Sequence, residues 1–534
     1  MVESYDHIVI GAGSAGCAVA ARLSEDPQRR VLLVEAGGSA NRLEVLAPLA
    51  FSNQFHSKID WDYETEPEPG CENRRIYEPR GKVMGGCSSM NAMLWLRGHR
   101  VDYDGWGIDG WGWDDVRPVF ERIERRSGIP GFATNEEGPV HVTRQRDPDP
   151  LTPKFIEAAK AAGIPPNEDL SSCEEGVGLS AMTIWQGRRW NAARAYLGQA
   201  KKRSNLTILK KALVKRVVVR DGRAIGIEWE RRGRKGAAMA RGDIVLSAGA
   251  FNTPQLLQLS GIGPAEHLRS VGIEPIVDSP GVGSNLQEHA MTLVNWELRE
   301  GNIGLSDATH PKYLLRWLAG GRGKLASNIA EALALIRTED SLEAPDFELL
   351  FGPAFFWEHG AAEHPKPAMV IAQSLWTPKS RGTVLARSAD PKELPAVQLN
   401  MLTERADVDA LIRAIRRSRE IGATEPMAGL IEAEIQPGSD IETDAALETW
   451  IRRTCEHTYH PACTARIGPE GEGVVDSELR VHGVEGLRVA DASVLPVITR
   501  ANTNAPAIMV GERCAAFIRT GSREAATEME PTAA

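Results

Sequence analysis

Apolar residues follow two patterns along the chain, compact runs and helically spaced stripes, which predict strands and helices. The run Ile8, Val9 and Ile10 and the segment RVLLVE, which ends at Glu35, predict buried strands. The segment TVLARSADPKELPAVQLN alternates apolar and polar positions in the manner of sheet strands. In DVDALIRAIRRSREIG the apolar residues recur at helical spacing and predict one buried helix face, formed by Val408, Leu411, Ile412 and Ile415.

No apolar segment approaches the roughly 20 residues that a membrane-spanning helix needs. The N-terminal MVESYDHIVI lacks the basic region and long apolar run of a secretory signal peptide. The C-terminal GSREAATEMEPTAA is polar and small, and we expect residues 526–534 to form a flexible tail. These features predict a cytoplasmic protein that does not bind a membrane.

Composition is typical of a globular protein with a large core: 534 residues, 42% of them hydrophobic and 25% charged. The net charge of -10 argues against a nucleic-acid partner, because phosphate binding needs concentrated Lys and Arg. The basic RRGRKG segment near Arg231 lies in turn-like sequence and predicts an exposed hairpin tip. The 7 cysteines are scattered without a CxxC pair, which favours a reducing compartment over a disulfide framework.

The segment DHIVIGAGSAGCAVAARLSED predicts a strand, a glycine turn and a helix that together bind a dinucleotide. Gly11 allows the tight turn, Gly13 lets the backbone approach a pyrophosphate, and Gly16 lets helix and strand pack closely. The helix N-terminus then faces the phosphates with its positive dipole end. Glu35, at the end of the second strand, stands where a ribose-binding acid is expected.

A single GxGxxG motif is weak support for a nucleotide site. Here, however, the strand before it, the helix after it and the acid at Glu35 all support the same interpretation. The alternative is a glycine turn in a generic α/β protein. Glu35 favours a free ribose hydroxyl over a 2′-phosphate, and the motif does not by itself distinguish NAD from FAD.

Four later segments favour FAD. They are PRGKVMGGCSSMNAMLWLRGH (residues 79–99), DIVLSAGAFNTPQLLQLSGIGP (243–264), GVGSNLQEH (281–289) and LRVADASVLPVITRANTNAPAIMVGERCAAFI (487–518). With these segments the chain resembles the glucose–methanol–choline (GMC) oxidoreductases, FAD-dependent alcohol oxidases and dehydrogenases, from residue 5 to about residue 518. The segments ETEPEPG, LRGHRVDYDGW and EALALIRT point to the bacterial choline dehydrogenase-like and aryl or furfuryl alcohol oxidase-like group.

The resemblance implies an α/β fold in which a Rossmann-like FAD-binding domain is interleaved with a second, α+β domain. The FAD domain would take residues 1–150, 205–295 and 455–525. The substrate domain, an antiparallel sheet flanked by helices, would take residues 151–204 and 296–454.

The resemblance assigns a large set of residues to the cofactor. They are Gly11, Gly13, Ser14, Ala15, Gly16, Glu35, Ala36, Arg80, Met84, Gly85, Gly86, Ser89, Asn91, Ala92, Met93, Leu94, Val214, Ala248, Gly249, Asp491, Ala492, Asn502 and Thr503.

In this family a catalytic histidine lies just beyond the flavin ring, and YHPACTARIG matches that motif with His460. RANTNAP places the partner residue at Asn502. Oxidation of a primary alcohol needs removal of a hydroxyl proton and transfer of a hydride to flavin N5, and imidazole is the usual base near neutral pH. An adjacent amide can hydrogen-bond the substrate oxygen without itself titrating.

Asn502 also precedes a predicted helix, NTNAPAIMVGERCAAF, in which Asn and Thr suit the cap and Pro506 the first turn. By the resemblance this helix end points at the flavin pyrimidine ring. Its N–H groups would stabilise the negative charge that develops there on reduction.

The stretch HTYHPACTARIG allows other interpretations. His460 could be a hydrogen-bonded core histidine, and His457 has no family counterpart, so we expect it to support packing. A zinc site would use His457, His460, Cys455 and Cys463, but their spacing lacks the usual paired pattern, and we predict no metal.

Three further residues are candidates for contact with the substrate: Glu331, Trp376 and Tyr459. Glu331 would face a cationic or hydroxyl-rich substrate, as a glutamate does in choline-acting relatives, with a structural acid as the alternative. Met90 stands where choline oxidases carry the histidine that bonds covalently to FAD, so we predict non-covalent FAD.

The leading hypothesis is therefore FAD-dependent oxidation of a primary alcohol by a monomer or homodimer, with O2 or another electron acceptor. A hydroxynitrile lyase of the same fold, which keeps FAD without net redox chemistry, is the alternative. A binding module and a nicotinamide-dependent enzyme are less favoured, because His460 and Asn502 are both present and there is one GxGxxG motif. The choice of alcohol, and of oxidase or dehydrogenase, stays open.

Overall fold

The computed structural model describes residues 2–129, 136–299 and 310–521, with residues 301, 304, 305, 307 and 308 between the last two ranges. The predicted flexible tail, 526–534, lies outside the described residues. Among the described residues, no helix has both the length and the apolar character needed to cross a membrane.

The helices are α1 (Ser14–Leu23), α2 (Leu43–Leu46), α3 (Arg100–Gly105), α4 (Trp113–Ile123), α5 (Leu151–Ala161), α6 (Ala192–Ala200), α7 (Gly249–Leu259), α8 (Ala265–Ser270), α9 (Pro311–Gly320), α10 (Arg405–Gly422), α11 (Asp444–Thr454) and α12 (Asn504–Thr520).

The strands are β1 (Glu3–Tyr5), β2 (His7–Ile10), β3 (Val31–Glu35), β4 (Tyr63–Glu64), β5 (Tyr77–Glu78), β6 (Glu124–Ser127), β7 (Val140–Thr143), β8 (Gly176–Leu179), β9 (Ile184–Trp185), β10 (Arg188–Arg189), β11 (Leu206–Lys210), β12 (Leu213–Arg220), β13 (Arg223–Arg231), β14 (Arg234–Ala240), β15 (Ile244–Leu246), β16 (Ile262–Gly263), β17 (Val277–Asp278), β18 (Ala290–Leu298), β19 (Ala332–Ile336), β20 (Phe347–Gly352), β21 (Ala368–Leu375), β22 (Thr383–Leu385), β23 (Ala396–Gln398), β24 (Ile431–Gln436), β25 (Glu456–His457) and β26 (Leu487–Val489).

A five-stranded parallel sheet, in the order β11-β3-β2-β15-β26, forms the centre of the first structural unit. Strands β2, β3, β15 and β26 are buried along their whole length, which explains why β2, β3 and β15 are mainly apolar runs rather than alternating ones. Helix α1 packs against α12 and α6. The predicted strands at Ile8–Ile10 and RVLLVE are therefore confirmed.

A second sheet of the first unit, in the order β1-β14-β13-β12, carries the basic segment identified in the sequence. Strands β13 and β14 pair in antiparallel fashion with Arg231 opposite Arg234, so RRGRKG forms a hairpin tip as predicted.

The second unit is built on a seven-stranded sheet. Its strands run β24-β18-β21-β20-β19-β8, each antiparallel to its neighbours, and β25 also pairs with β18. Helix α10 packs on β18 and β21 with Val408, Leu411, Ile412 and Ile415 buried, which confirms its predicted face. The strands predicted in TVLARSADPKELPAVQLN are confirmed as β22 and β23, which pair with each other in antiparallel fashion.

Two hydrophobic cores correspond to the two units, and the chain passes between them several times. The first draws chiefly on residues 5–34, 95–142, 181–282 and 462–517, and the second on residues 63–76, 151–177 and 286–455. This is the mixed α/β architecture that the sequence predicted, with an antiparallel sheet in the second unit.

The exact domain boundaries stay a prediction, and three elements lie across the expected limits. Helix α6 falls in the range assigned to the substrate domain, yet Tyr196 and Leu197 pack in the first core against α1. Strand β18 begins at Ala290, before the expected boundary at 295, and β25 joins the second sheet although it follows residue 455. Side-chain packing between distant segments decides these positions, and the local sequence pattern carries no sign of it.

Candidate active site

A cavity of about 330 Å³ is lined by residues of both units. The first unit contributes the glycine turn before α1, the end of β3, the starts of α7 and α12, and part of segment 79–99. The second unit contributes residues of β18, β20 and β21 and the loop before β19.

The glycine turn takes the backbone geometry that the sequence predicted. Gly11 has a φ of +97°, and a Cβ there would lie 2.3 Å from the carbonyl oxygen of Ser247. A Cβ on Gly16 would lie 2.0 Å from the carbonyl oxygen of Gly11, so only glycine lets α1 pack this closely on β2. Segment 79–99 rests on the same turn, because a Cβ on Gly86 would lie 2.7 Å from the Cα of Gly13.

Glu35 stands at the carboxyl end of β3 and lines the cavity. Its Oε2 accepts a hydrogen bond from the N–H of Ala12 at 2.9 Å, and its Oε1 accepts one from the N–H of Gly37 at 2.7 Å. Burial raises the pKa of this carboxyl to about 7, against the lowering effect of the two N–H groups. The acid therefore lies at the end of the glycine-turn strand pair, where a nucleotide ribose is expected.

Two helix N-termini border the cavity without a capping side chain or an acidic residue in the first turn. One belongs to the 10-residue α1, beside Gly13 and Ser14, and the other to the 17-residue α12, beside Thr503 and Asn504. Their free N–H groups and positive dipole ends suit an anionic group. The glycine turn, Glu35 and these two helix starts are the parts that a dinucleotide flavin requires, so the residues present fit FAD.

Most of the predicted cofactor residues line this one cavity. They are Gly11, Gly13, Ser14, Ala15, Glu35, Ala36, Arg80, Gly86, Asn91, Ala92, Met93, Leu94, Val214, Ala248, Gly249, Asp491, Ala492, Asn502 and Thr503. Met90, where the sequence predicted non-covalent binding, lines it as well.

Gly16, Met84, Gly85 and Ser89 do not line the cavity and instead shape its wall. The N–H of Gly85 donates to the carbonyl of Ala12 at 2.7 Å, and the hydroxyl of Ser89 donates to the carbonyl of Met84 at 2.8 Å. These contacts hold the loop against the glycine turn, and the direct cofactor contact of these four residues stays a prediction.

The side chain of Asp491 is hydrogen-bonded to the first residues of α7. Its carboxylate accepts hydrogen bonds from the N–H of Gly249 at 2.8 Å and the hydroxyl of Thr253 at 2.6 Å, and it thereby fixes the start of α7 beside the cavity.

His460 and Asn502 meet at the cavity, although 42 residues separate them in the chain. The amide nitrogen of Asn502 lies 3.1 Å from Nε2 of His460, and Nδ1 of His460 lies 3.0 Å from Nδ1 of His289. Burial lowers the pKa of His460 well below its usual value, with further lowering from His289, Arg80 and His457. The imidazole is therefore neutral near pH 7 and able to accept a proton.

Beneath His460 lies a buried cluster formed by Glu78, Arg80, Glu288 and His457. The Oε1 of Glu288 accepts hydrogen bonds from the backbone N–H groups of His460 at 2.7 Å and His289 at 2.9 Å. Burial, with a further rise from Glu78, raises the pKa of Glu288 well above its usual range, and burial raises that of Glu78 to about 7. The guanidinium of Arg80 lies 3.3 Å from Glu78 and donates to the carbonyl of Tyr459 at 2.9 Å.

His457 lies in the buried cluster beneath His460, and its supporting role stays a prediction. Its Nδ1 accepts a hydrogen bond from the N–H of Tyr459 at 3.1 Å, and its Nε2 donates to the carbonyl of Tyr77 at 2.8 Å. Both ring nitrogens are thus occupied. Of the residues described, the potential ligand groups that gather within 4.8 Å of one another are Glu78, Glu288 and His457, so the zinc quartet considered from the sequence does not assemble.

Two of the three predicted substrate residues lie elsewhere than expected. Glu331 is buried outside the cavity lining, where Oε2 accepts from the N–H of Asp149 and the hydroxyl of Thr152, both at 2.7 Å, and Oε1 from the hydroxyl of Ser327 at 2.6 Å. Trp376 is fully buried beside Ala501, also outside the lining. Both positions depend on contacts with distant segments, which local sequence does not reveal.

Tyr459 does line the cavity, in the left-handed backbone conformation with a φ of +66°. Its hydroxyl lies 2.8 Å from Nδ1 of His359, and its ring centroid lies 5.8 Å from that of Phe55. Phe51 and Phe356, whose centroids are 6.5 Å apart, extend this aromatic wall.

Sequence reasoning missed His289, Glu288, Glu348 and the phenylalanines of the wall. His289 and Glu288 end the segment GVGSNLQEH, which was noted as a family segment without a role for its last residues. Glu348 lies on β20 beside the side chains of Trp376 and Asn502, and burial raises its pKa to about 8 against the lowering effect of those two neighbours. No motif marks it.

A dinucleotide-binding unit and a sheet-based second unit thus enclose a cavity with a neutral histidine and an amide, which is the arrangement of an oxidoreductase. Two family models, both described as GMC oxidoreductase, match residues 5–291 and 378–511. The chain belongs to the GMC oxidoreductase family.

Similarity to named relatives extends over nearly the whole chain. The chain is 40% identical to the oxygen-dependent choline dehydrogenase of Rhizobium etli, over 98% of this chain and 97% of the relative. Among solved structures, pyridoxine 4-oxidase from Mesorbium loti has a TM-score of 0.87 at 31% identity, covering 96% of this chain and 98% of its own. A formate oxidase from Aspergillus oryzae, studied for FAD modification, has a TM-score of 0.92 at 28% identity, covering 98% and 99%.

Proposed function

We propose that the protein oxidises a primary alcohol to the aldehyde with non-covalently bound FAD as the hydride acceptor. The observation that carries this proposal is the pairing of His460 and Asn502 at a cavity whose other end fits a dinucleotide.

His460 and Asn502 divide the work on the hydroxyl group. A hydroxyl lying between them gives its proton to Nε2 of His460, and its oxygen accepts a hydrogen bond from the amide of Asn502. Because the amide does not titrate, it holds the developing alkoxide while the imidazole takes up the proton. When bound, FAD supplies the acceptor for the hydride that leaves the carbon.

The start of α12 supports the same chemistry electrostatically. The helix has 17 residues and no acidic residue in its first turn, and Asn502, Thr503 and Asn504 line the cavity beside it. Its positive end would stabilise negative charge on a reduced flavin.

Non-covalent binding is supported by Met90, whose thioether lines the cavity where a histidine would be needed for a covalent link. Precipitating the protein with acid should release all the flavin into the supernatant. Flavin retained in the protein pellet would contradict this part of the proposal.

The cavity wall favours a neutral alcohol with an apolar or aromatic substituent. Near His460 it is formed by Phe51, Phe55, Met291, Leu350, Phe356, Val370 and Ala372. Glu35 and Asp491 are the carboxylates among the described lining residues, and both bond the backbone at the nucleotide end. Glu331 is already satisfied by Asp149, Thr152 and Ser327, so among the described residues that line the cavity no carboxylate is free to bind a cation such as choline.

The test is anaerobic addition of alcohols to the purified flavoprotein. A neutral aryl or alkyl primary alcohol should bleach the oxidised flavin spectrum, with a higher kcat/KM than choline in turnover with O2 or an artificial acceptor. His460→Ala should slow bleaching by about 100-fold or more. A lyase of the same fold would leave the flavin oxidised with every alcohol, and an unchanged rate in His460→Ala would show that the histidine assignment is wrong.

A further inference from the structure

We propose that His289 is a positioning residue that holds His460 in one tautomer, with the proton on Nδ1 and the lone pair on Nε2. The inference rests on the proposed function, because it explains how the base nitrogen comes to face the hydroxyl. It gives a role to the last residue of the segment GVGSNLQEH.

Three side chains form a continuous line of polar contacts. Nδ1 of His289 lies 3.0 Å from Nδ1 of His460, and Nε2 of His460 lies 3.1 Å from the amide nitrogen of Asn502. The two rings are nearly perpendicular, at 82°, so each presents a ring edge to the other. Two facing nitrogens at this distance require that one carries a proton and the other a lone pair.

The Asn502 end of this line decides where the protons lie. The Asn502 nitrogen is a donor, so Nε2 of His460 carries the lone pair and Nδ1 the proton. Nε2 of His289 is buried and has no hydrogen-bond partner among the described residues, so it imposes no competing arrangement. Nδ1 of His460 therefore donates to Nδ1 of His289.

Burial makes His289 a dependable acceptor. The ring is fully buried, and burial lowers its pKa to about 3 in spite of the backbone interactions. The ring is therefore neutral near pH 7, and its Nδ1 can accept the hydrogen bond from His460. When His460 takes a proton at Nε2, the imidazolium keeps its Nδ1 hydrogen bond to His289, so the ring does not have to turn.

The backbone reinforces the placement of the two rings. The N–H of Thr458 donates to the carbonyl of His289 at 3.0 Å, and Gln287 and Ala462 pair as an antiparallel bridge. Glu288 accepts from the N–H groups of both histidines. Residues 287–289 thus hold residues 458–462 along one side.

Several titratable groups surround the pair and contribute to its pH response. They are Glu78, Arg80, Glu288 and His457 beneath His460, and Glu348 beside Asn502. None of them contacts Nδ1 of either ring by a hydrogen bond among the described residues, so the tautomer depends on His289.

The first experiment reads the tautomer directly, without turnover. The holoprotein is labelled with ring-15N histidine and measured by NMR, and the His460 signals are assigned by their loss in His460→Ala. We expect a protonated Nδ1 and an unprotonated Nε2 in the wild type, and a shift toward protonated Nε2 in His289→Leu. A wild-type His460 protonated at Nε2 would overturn the proposal. This result stands even if no alcohol reduces the flavin, an outcome that would refute the proposed function alone.

The second experiment measures anaerobic flavin reduction over a range of pH in variants with a normal flavin spectrum. His289→Leu should reduce its flavin about 10-fold or more slowly at every pH, with little change in alcohol affinity. His289→Asn, which keeps an acceptor oxygen, should recover most of the rate. His141→Leu removes another buried imidazole, one stacked on Trp185 at 4.0 Å, and should behave as the wild type. Equal rates for His289→Leu and the wild type at every pH would overturn the proposal, as would equal impairment of the Leu and Asn variants.

Discussion

The environment of the His460 side chain favours the neutral imidazole over the charged imidazolium. Burial, the neighbouring imidazoles and Arg80 all lower its pKa, so the neutral form is the resting state. The backbone N–H of His460 is fixed by Glu288 and the ring by His289 and Asn502. In the proposed reaction, an imidazole held in this way needs little reorganisation before it accepts a proton.

Substitution of Asn502 tests the role of its side-chain amide. Replacing it with Ala removes the donor that meets the alkoxide, and we expect kcat to fall by about 100-fold, in line with the loss of one oxyanion donor. Asn502→Asp should be at least as slow, because its carboxylate would repel the same developing charge. Steady-state and anaerobic reduction rates provide the measurement. A kcat within about 3-fold of the wild type in both variants would argue against a direct contact.

Glu331 leads to a prediction about stability instead of specificity. Glu331→Gln keeps the shape but replaces charge-assisted bonds from Asp149, Thr152 and Ser327, so we expect a loss of about 1–3 kcal/mol in the free energy of unfolding. The ratio of kcat/KM for choline to that for a neutral alcohol should not change. A selective loss of activity on choline would restore the interpretation of Glu331 as a cation-binding residue.

Individual helices and strands show which sequence patterns were sufficient to predict secondary structure. Strands β2 and β3 and helix α10 were predictable because burial of their faces is visible as a local apolar period. The start of α12 was expected at Asn502 and lies at Asn504, and its cap residue Thr503 makes no side-chain capping bond. That end faces the cavity, where free N–H groups serve a ligand instead of a cap.

The candidate site was predictable to the extent that motifs carry it. The glycine turn, Glu35, His460 and Asn502 were identified because their chemistry depends on short, ordered spacings. His289 and Glu348 were missed, and Glu331 and Trp376 were misplaced, because their partners come from segments far away in the chain.

The packing of α1 on the glycine turn gives a prediction at the element scale. Gly16→Ala would place a Cβ 2.0 Å from the carbonyl of Gly11, which displaces the helix start from the cavity. We expect loss of FAD binding and a large fall in the unfolding temperature. Gly198→Ala, in α6 with nothing within 4 Å of its Cβ position, is the matched control and should keep FAD with equal or slightly higher stability. A Gly16→Ala protein that retains FAD with wild-type stability would contradict the close packing.

For the whole molecule, buried carboxyls and buried histidines have opposite effects on stability as pH changes. Burial raises the pKa values of Glu78 and Glu456 to about 7 and that of Glu348 to about 8, so the folded state keeps protons that the unfolded state releases near pH 4.5. Burial lowers the pKa values of His289 to about 3 and His359 to about 4, so the folded state lacks protons that the unfolded state binds below about pH 6.5.

The signs of these contributions give a definite pH profile. The buried carboxyls stabilise the folded state at low pH, and this stabilisation is lost as pH rises through 7–8. The buried neutral histidines do not destabilise the folded state above about pH 6.5, but they lower its stability as pH falls below that value. Above about pH 7.5 the unfolded histidines have lost their protons as well, so between pH 7.5 and 8 the carboxyl contribution dominates and the free energy of unfolding should fall, by about 1.4 kcal/mol per pH unit for each proton released.

Glu348→Gln isolates one of these groups. The variant lacks the titrating proton of Glu348, so the stability of the wild type relative to Glu348→Gln should fall by about 2 kcal/mol between pH 6 and 8. Urea unfolding followed by far-UV circular dichroism, with FAD in the same excess throughout, measures the difference. Parallel pH profiles for the two proteins would mean that Glu348 is already ionised at pH 6. In that case a negative charge, rather than a neutral acid, lies beside Asn502 during catalysis.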